Sequence, residues 1–238
     1  MGEAEISIVI ALAQDGVLLI GRNMNKKPPQ LEPWIQRIFC EPPVAAIRKA
    51  LKQHLPETLF YHSALHTDDV IREVLHLGIT AGLGDRSLEL LGVAAAFHDA
   101  GFLESRKENE QLGAKMATEA LKREAGSYTN DEIDLVAQMI EDTTLRMLPE
   151  GPRQVPRSKL SAFLCDADTA NLGRDDFFEC GERYRKELNQ EEAPFYTTFS
   201  LIFMHAHRWN TKEAQALWGL KKELNLELLI KKAASYAT

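Results

Sequence analysis

The stretch Phe97-His98-Asp99-Ala100-Gly101-Phe102 decides how this chain is read. It closes a run, Ser87 to Phe97, that is apolar on nearly every side. A helix with no polar face belongs in the middle of a protein, because water suits none of its surface. The run therefore predicts a central, buried helix that ends on an imidazole beside a carboxylate. An unpaired carboxylate is costly to bury, so Asp99 needs a cation or several donors nearby. A metal ion would meet that need. Backbone donors would also meet it, if His98 and Asp99 merely cap the helix. Gly101 follows as a residue able to take the left-handed conformation that ends many helices.

Two further stretches share this chemistry. Upstream lies Tyr61-His62-Ser63-Ala64-Leu65-His66-Thr67-Asp68-Asp69-Val70, and downstream lies Leu164-Cys165-Asp166-Ala167-Asp168-Thr169-Ala170-Asn171-Leu172-Gly173. His62 and His66 are four apart and share a face if their helix begins by His62. Leu160, Leu164, Asp168 and Leu172 repeat every four residues, so Asp168 points where the leucines point. An aspartate in a core needs a partner. The same spacing favours Asp168 over Asp166 as an inward ligand.

The three stretches, "YHSALHT", "FHDAGF" and "CDADTANLGRDDFF", resemble in order and spacing the HD superfamily of metal-dependent phosphohydrolases. The resemblance runs from about Leu55 to Leu188. It implies that His66, His98, Asp99 and Asp168 are metal ligands and that Asp99 also orients the attacking water. It implies that His62 is the general acid used in the cyclic-nucleotide phosphodiesterase branch, the other reading being a surface or capping histidine. Two imidazoles and two carboxylates suit Mn, Fe, Co, Ni, Zn or Mg. Relatives with two metals carry an additional histidine after the HD turn, where this chain reads Glu108-Asn109-Glu110-Gln111. Glu110 stands in its place, which predicts one divalent ion and leaves Glu110 as a general base, or simply as a favourable charge at a helix start. Arg174, then Arg106 and Lys107, are the candidate phosphate-binding cations. The expected function is hydrolysis of a nucleotide or related phosphate ester. The alternative is a non-catalytic regulatory module that binds a metal or nucleotide.

The rest of the chain reads as an all-α, HD-type helical bundle with a small N-terminal β-hairpin appendage. Ile6 to Gly21 places two apolar runs around Asp15-Gly16, a hairpin signal. Residues 1–42 form the accessory segment and 43–238 the helical domain. Helical spacing follows over Val44 to His54, Ser63 to Gly78, Glu108 to Glu124 and Asp175 to Leu188, and Thr129 to Glu132 is a capping box. Pro149 to Pro156 reads as a loop near the site mouth. His205 and His207 are two apart, on different helix faces, and are expected in core or capping roles.

Composition bounds the partners. The 238 residues carry a formal net charge of −7, which opposes stable nucleic-acid binding while permitting a small phosphate ester as substrate. No apolar run reaches the ~18–20 residues of a membrane span. The N-terminus is acidic where a signal peptide is basic, and position 6 is Ile where myristoylation needs Ser or Thr. Cys40, Cys165 and Cys180 show no CxxC spacing. These features predict a cytoplasmic protein that does not engage membranes.

Overall fold

A computed structural model describes residues 27–236. The hairpin expected over Ile6 to Gly21 lies outside the described residues. Within them the chain is helical: α1 (Leu31–Cys40), α2 (Pro42–His54), α3 (Ala64–Thr80), α4 (Asp85–Phe97), α5 (Asn109–Arg123) and α6 (Asn130–Glu141) precede a two-stranded hairpin. After the hairpin come α7 (Lys159–Asp168), α8 (Phe177–Glu187), α9 (Glu192–Pro194), a π-helix (Phe195–Phe199), α10 (Ser200–Ala206) and α11 (Lys212–Ala234).

The helix starts follow local chemistry. Ser63, Ser158 and Thr211 each accept a backbone N–H at the start of α3, α7 and α11. Thr129 and Glu132 form the capping box at the start of α6. Each satisfies a donor that a helix leaves unpaired at its N-terminus.

The apolar run before the HD pair is the central helix, α4. From Leu90 to Phe97 every residue is buried, and the helix packs against α1, α2, α3, α5, α6 and α7. Small residues let those neighbours close in. A Cβ on Gly92 would lie 2.8 Å from the Ile38 side chain, and one on Gly113 would lie 2.5 Å from the Phe97 carbonyl oxygen. Leu31, Ile35 and Ile38 of α1 join the same core as Val44 and Ile47 of α2, so both sides of the expected boundary at residue 42 pack together.

A second apolar cluster gathers Leu172, from the turn that follows α7, with Phe177, Phe195, Tyr196, Met204 and Leu229 from the segment spanning α8 to α11. A hairpin joins β1 (Arg146–Leu148) to β2 (Gly151–Arg153), with Leu148 opposite Gly151, so the span expected as a loop from Pro149 carries its turn and second strand. Gly151 has φ +123°, a conformation that glycine alone takes readily. Among the described residues no helix is long and apolar enough to cross a membrane.

Candidate metal centre

Three helices deliver the cluster. His66 lies in the first turn of α3, His98 and Asp99 follow the last residue of α4, and Asp168 is the last residue of α7. His66 Nε2 is 3.0 Å from Asp168 Oδ1, 3.4 Å from His98 Nε2 and 3.6 Å from Asp99 Oδ2. His98 Nε2 is 3.2 Å from Asp99 Oδ2 and 3.5 Å from Asp168 Oδ1. Donors bound at ~2.0–2.6 Å around one ion sit roughly 3–4 Å from one another. His66, His98 and Asp168 therefore form a cluster able to hold a metal ion.

The donor chemistry fits such an ion. His98 Nδ1 lies 2.7 Å from the Ala95 carbonyl oxygen, which can only accept, so Nδ1 carries the proton and Nε2 offers its lone pair to the cluster. Asp99 Oδ2 is buried and has no hydrogen-bond partner. The other Asp99 oxygen accepts a long bond, 3.4 Å, from Asn109 Nδ2. Burial opposes charge on His98, yet Asp99 and Asp168 outweigh it and hold its pKa well above the usual imidazole value. Burial likewise opposes ionisation of Asp168, but the adjacent His66 and His98 imidazoles pull its pKa far below the carboxylate range. The cluster attracts positive charge, and a divalent cation meets that demand without protonating the ligands.

Gly101 does not take the left-handed conformation. It lies in a 3-10 turn, Ala100–Leu103, where a Cβ would fall 2.0 Å from the Asn109 carbonyl oxygen. Close approach of α5 to the HD turn is what requires glycine here. His62 is not on α3 either, since Ser63 is the N-cap and the helix starts at Ala64. A tertiary contact brings it to the cleft instead. Glu187 Oε1 lies 2.6 Å from His62 Nδ1, while Oε2 accepts the backbone N–H groups of Tyr61 and His62 at 2.9 and 3.0 Å. The His62 ring stacks on Phe102 with centroids 4.6 Å apart. Burial lowers the His62 pKa, but Asp99 and the Glu187 hydrogen bond overcome this and raise it.

A cleft of about 280 Å³ opens beside the cluster. His62, Asp99, Asp168, Arg106 and Glu110 supply polar lining, and Phe177, Phe195, Phe199 and Phe203 supply aromatic wall. Burial raises the Glu110 pKa, and nearby Asp99 adds to the effect. Arg106 reaches Glu187 Oε1 at 3.1 Å. The other two candidate cations are elsewhere. The Arg174 guanidinium is taken up by Asp69, Glu73 and Asp176, and does not line the cleft. Lys107 is exposed and also lies off it. His207 is buried against Thr169 Oγ1 at 3.1 Å, in a core role, with its pKa lowered to about 3 by burial and nearby cations.

The structure adds residues that sequence reading missed. Gln154 Nε2, just after β2, donates to Asp168 Oδ2 at 2.6 Å and to the Thr143 carbonyl at 2.8 Å. Neither Gln154 nor Glu187 carries a local signal, the one being a loop amide and the other a charge beside Arg185 and Lys186. The wall phenylalanines do carry one, because residues 195, 199 and 203 recur every four positions.

No family model matches the sequence, and no curated protein matches it as a relative. Two solved structures resemble it. One is a predicted HD superfamily hydrolase from an uncultured Thermotogales bacterium, with 14% identity and TM-score 0.55, covering 83% of this chain and 93% of that one. The other is a protein of Lactobacillus plantarum, with 18% identity and TM-score 0.58, covering 84% of this chain and 99% of that one. Histidine and aspartate side chains meet where α3, α4 and α7 converge, and the chain shares its all-α fold with that predicted HD superfamily hydrolase.

Proposed function

We propose that this protein is a metal-dependent phosphohydrolase that cleaves a phosphate ester of a nucleotide or a related small molecule. The observation that carries this reading is the buried, unpartnered Asp99 Oδ2 facing two imidazole nitrogens beside a cleft that Asp99 itself lines. His66, His98, Asp99 and Asp168 would hold one divalent ion, drawn from Mn, Fe, Co, Ni, Zn or Mg. When bound, it lowers the pKa of a water from ~15.7 toward ~7 and withdraws charge from a phosphoryl oxygen.

The chain's own groups supply the rest. Glu187 fixes His62 through Nδ1, leaving Nε2 as the ring atom able to pass a proton on. Water attacks phosphorus, the bond from phosphorus to the leaving oxygen breaks, and that oxygen takes the His62 proton. Glu110, which lines the cleft and has its pKa raised by burial, would accept the proton that the water gives up. Arg106 meets phosphate charge at the rim.

The test is phosphate release from a nucleotide panel with Mn, Co, Ni or Mg, alongside elemental analysis of the purified protein. Turnover with at least one metal, abolished by chelation, is expected. Tight nucleotide binding without turnover under every metal would support the regulatory module instead.

A further inference from the structure

The cleft is built asymmetrically. From the cluster outward, rings follow one another in contact: His66 to Tyr61 at 4.7 Å between centroids, Tyr61 to Tyr184 at 5.4 Å, and Tyr184 to Phe199 at 5.7 Å. Beyond them Phe195, Phe199 and Phe203 form a ladder. Their centroids are 5.5 and 6.4 Å apart, and the successive interplanar angles are only 23° and 14°. All three line the cleft, and the first two bound the π-helix, a rare winding often found at functional sites. Phe199 and Phe203 are only partly buried, so the wall keeps aromatic surface available inside the cleft.

Charge points the same way. Arg106 is the sole lysine or arginine lining the cleft among the described residues, and it already sits 3.1 Å from Glu187. Asp99, Glu110 and Asp168 line it as well. A triphosphate brings about four negative charges, and recognising it takes several lysines or arginines, or a glycine-rich cradle of backbone N–H groups. This cleft offers neither. Its volume of about 280 Å³ lies just below the ~300–1,000 Å³ usual for ligand pockets.

Resting on the phosphohydrolase reading, we propose that the substrate carries a single phosphoryl group on a flat aromatic body, and that this body lies along the Phe195–Phe199–Phe203 wall. The phosphoryl group then reaches the cluster, with Arg106 and His62 beside it. Stacking on such a wall tolerates any ring, so selectivity among ring types is expected to be weak.

The test compares a nucleoside monophosphate, phenyl phosphate, the matching nucleoside triphosphate and glycerol phosphate, all with Mn. Both kcat/KM and calorimetric binding are measured. The two ring-bearing monoesters should exceed the triphosphate and glycerol phosphate by about tenfold or more in both. Phe203→Leu, which keeps apolar volume and removes the ring face, should narrow the ratio of phenyl to glycerol phosphate severalfold with the helical CD spectrum retained. A triphosphate or glycerol phosphate bound or hydrolysed as well as the ring-bearing monoesters would overturn the assignment while leaving phosphohydrolysis intact. If the binding order holds with Mn and no ester is hydrolysed when the assay is repeated with Co, Ni and Mg, the wall assignment stands and the phosphohydrolase reading falls.

Discussion

Around Arg174 one guanidinium faces the carboxylates of Asp69, Glu73 and Asp176 at 2.7–3.2 Å, so every strong acceptor there meets a donor. At the end of α4 two imidazole nitrogens and two carboxylates face one another instead, with no lysine or arginine among them. Both regions concentrate charge in partly buried surroundings, but only the first is complete within itself. Asp166 and Asp168 repeat the contrast within one helix turn. Asp166 accepts four hydrogen bonds from Asn210 and Thr211 at the start of α11, whereas Asp168 faces His66 and takes one bond from Gln154. A buried acid fully supplied with donors fastens the fold. A buried acid aimed at other lone pairs marks a place for a cation.

The largest test of this difference removes a member of the incomplete set. Asp99→Ala should lower hydrolysis by at least ~10²–10³-fold, the scale of losing a main electrostatic group at a reacting centre. Helicity should persist and metal content should fall. Full activity with full metal content would remove Asp99 from the mechanism and break the comparison.

Next comes Glu187→Gln, expected to lower kcat by roughly 10–100-fold, since general acid catalysis contributes about 10²–10⁴. As the proposed general acid His62 must be protonated, so activity should be lost as pH rises through its raised folded pKa. Removing the Glu187 charge lowers that pKa and should move the alkaline limb of the pH profile to lower pH. A drop in rate with no movement of that limb would leave Glu187 as packing alone.

Gln154→Leu sharpens the picture at the ligand shell. It deletes the donor to Asp168 Oδ2 and should weaken metal affinity by about 10–100-fold, read by chelator competition. Arg174→Met attacks the complete region. It should cost about 1–3 kcal/mol in urea unfolding, a moderate figure because Asp69 and Asp176 are partly solvated, while kcat stays near the parent value. A large loss of turnover at unchanged stability would reverse the roles assigned to the two regions.

The smallest expected effect lies away from both. The Arg86 hydrogen bond, with the Thr129 backbone N–H, holds the Glu132 pKa down to about 2. A depressed carboxylate stabilises the fold above its unfolded pKa, and that contribution is lost as pH falls from about 4.5 toward 2. The pair is partly solvated, so Glu132→Gln should cost only about 0.5–1 kcal/mol at pH 7. The difference from the parent should shrink below pH 4.

By itself the sequence determined the central helix, the helix starts at Thr129, Ser158 and Thr211, and the inward face of Asp168. Each rests on chemistry within a few residues: apolar periodicity, a hydroxyl before a helix, or four-residue spacing. The three histidine and aspartate stretches were legible for the same reason. Tertiary structure alone decided which charges serve the cleft. His62 reaches it because Glu187, 125 positions away in sequence, anchors its ring and backbone. Arg174 is kept off it because Asp69 and Glu73 of α3, about 100 positions earlier, capture its guanidinium. Gly101 proved necessary through the approach of Asn109 rather than through its own backbone angles. A charged side chain is long and has no periodic signature, so its partner is set by which elements pack together.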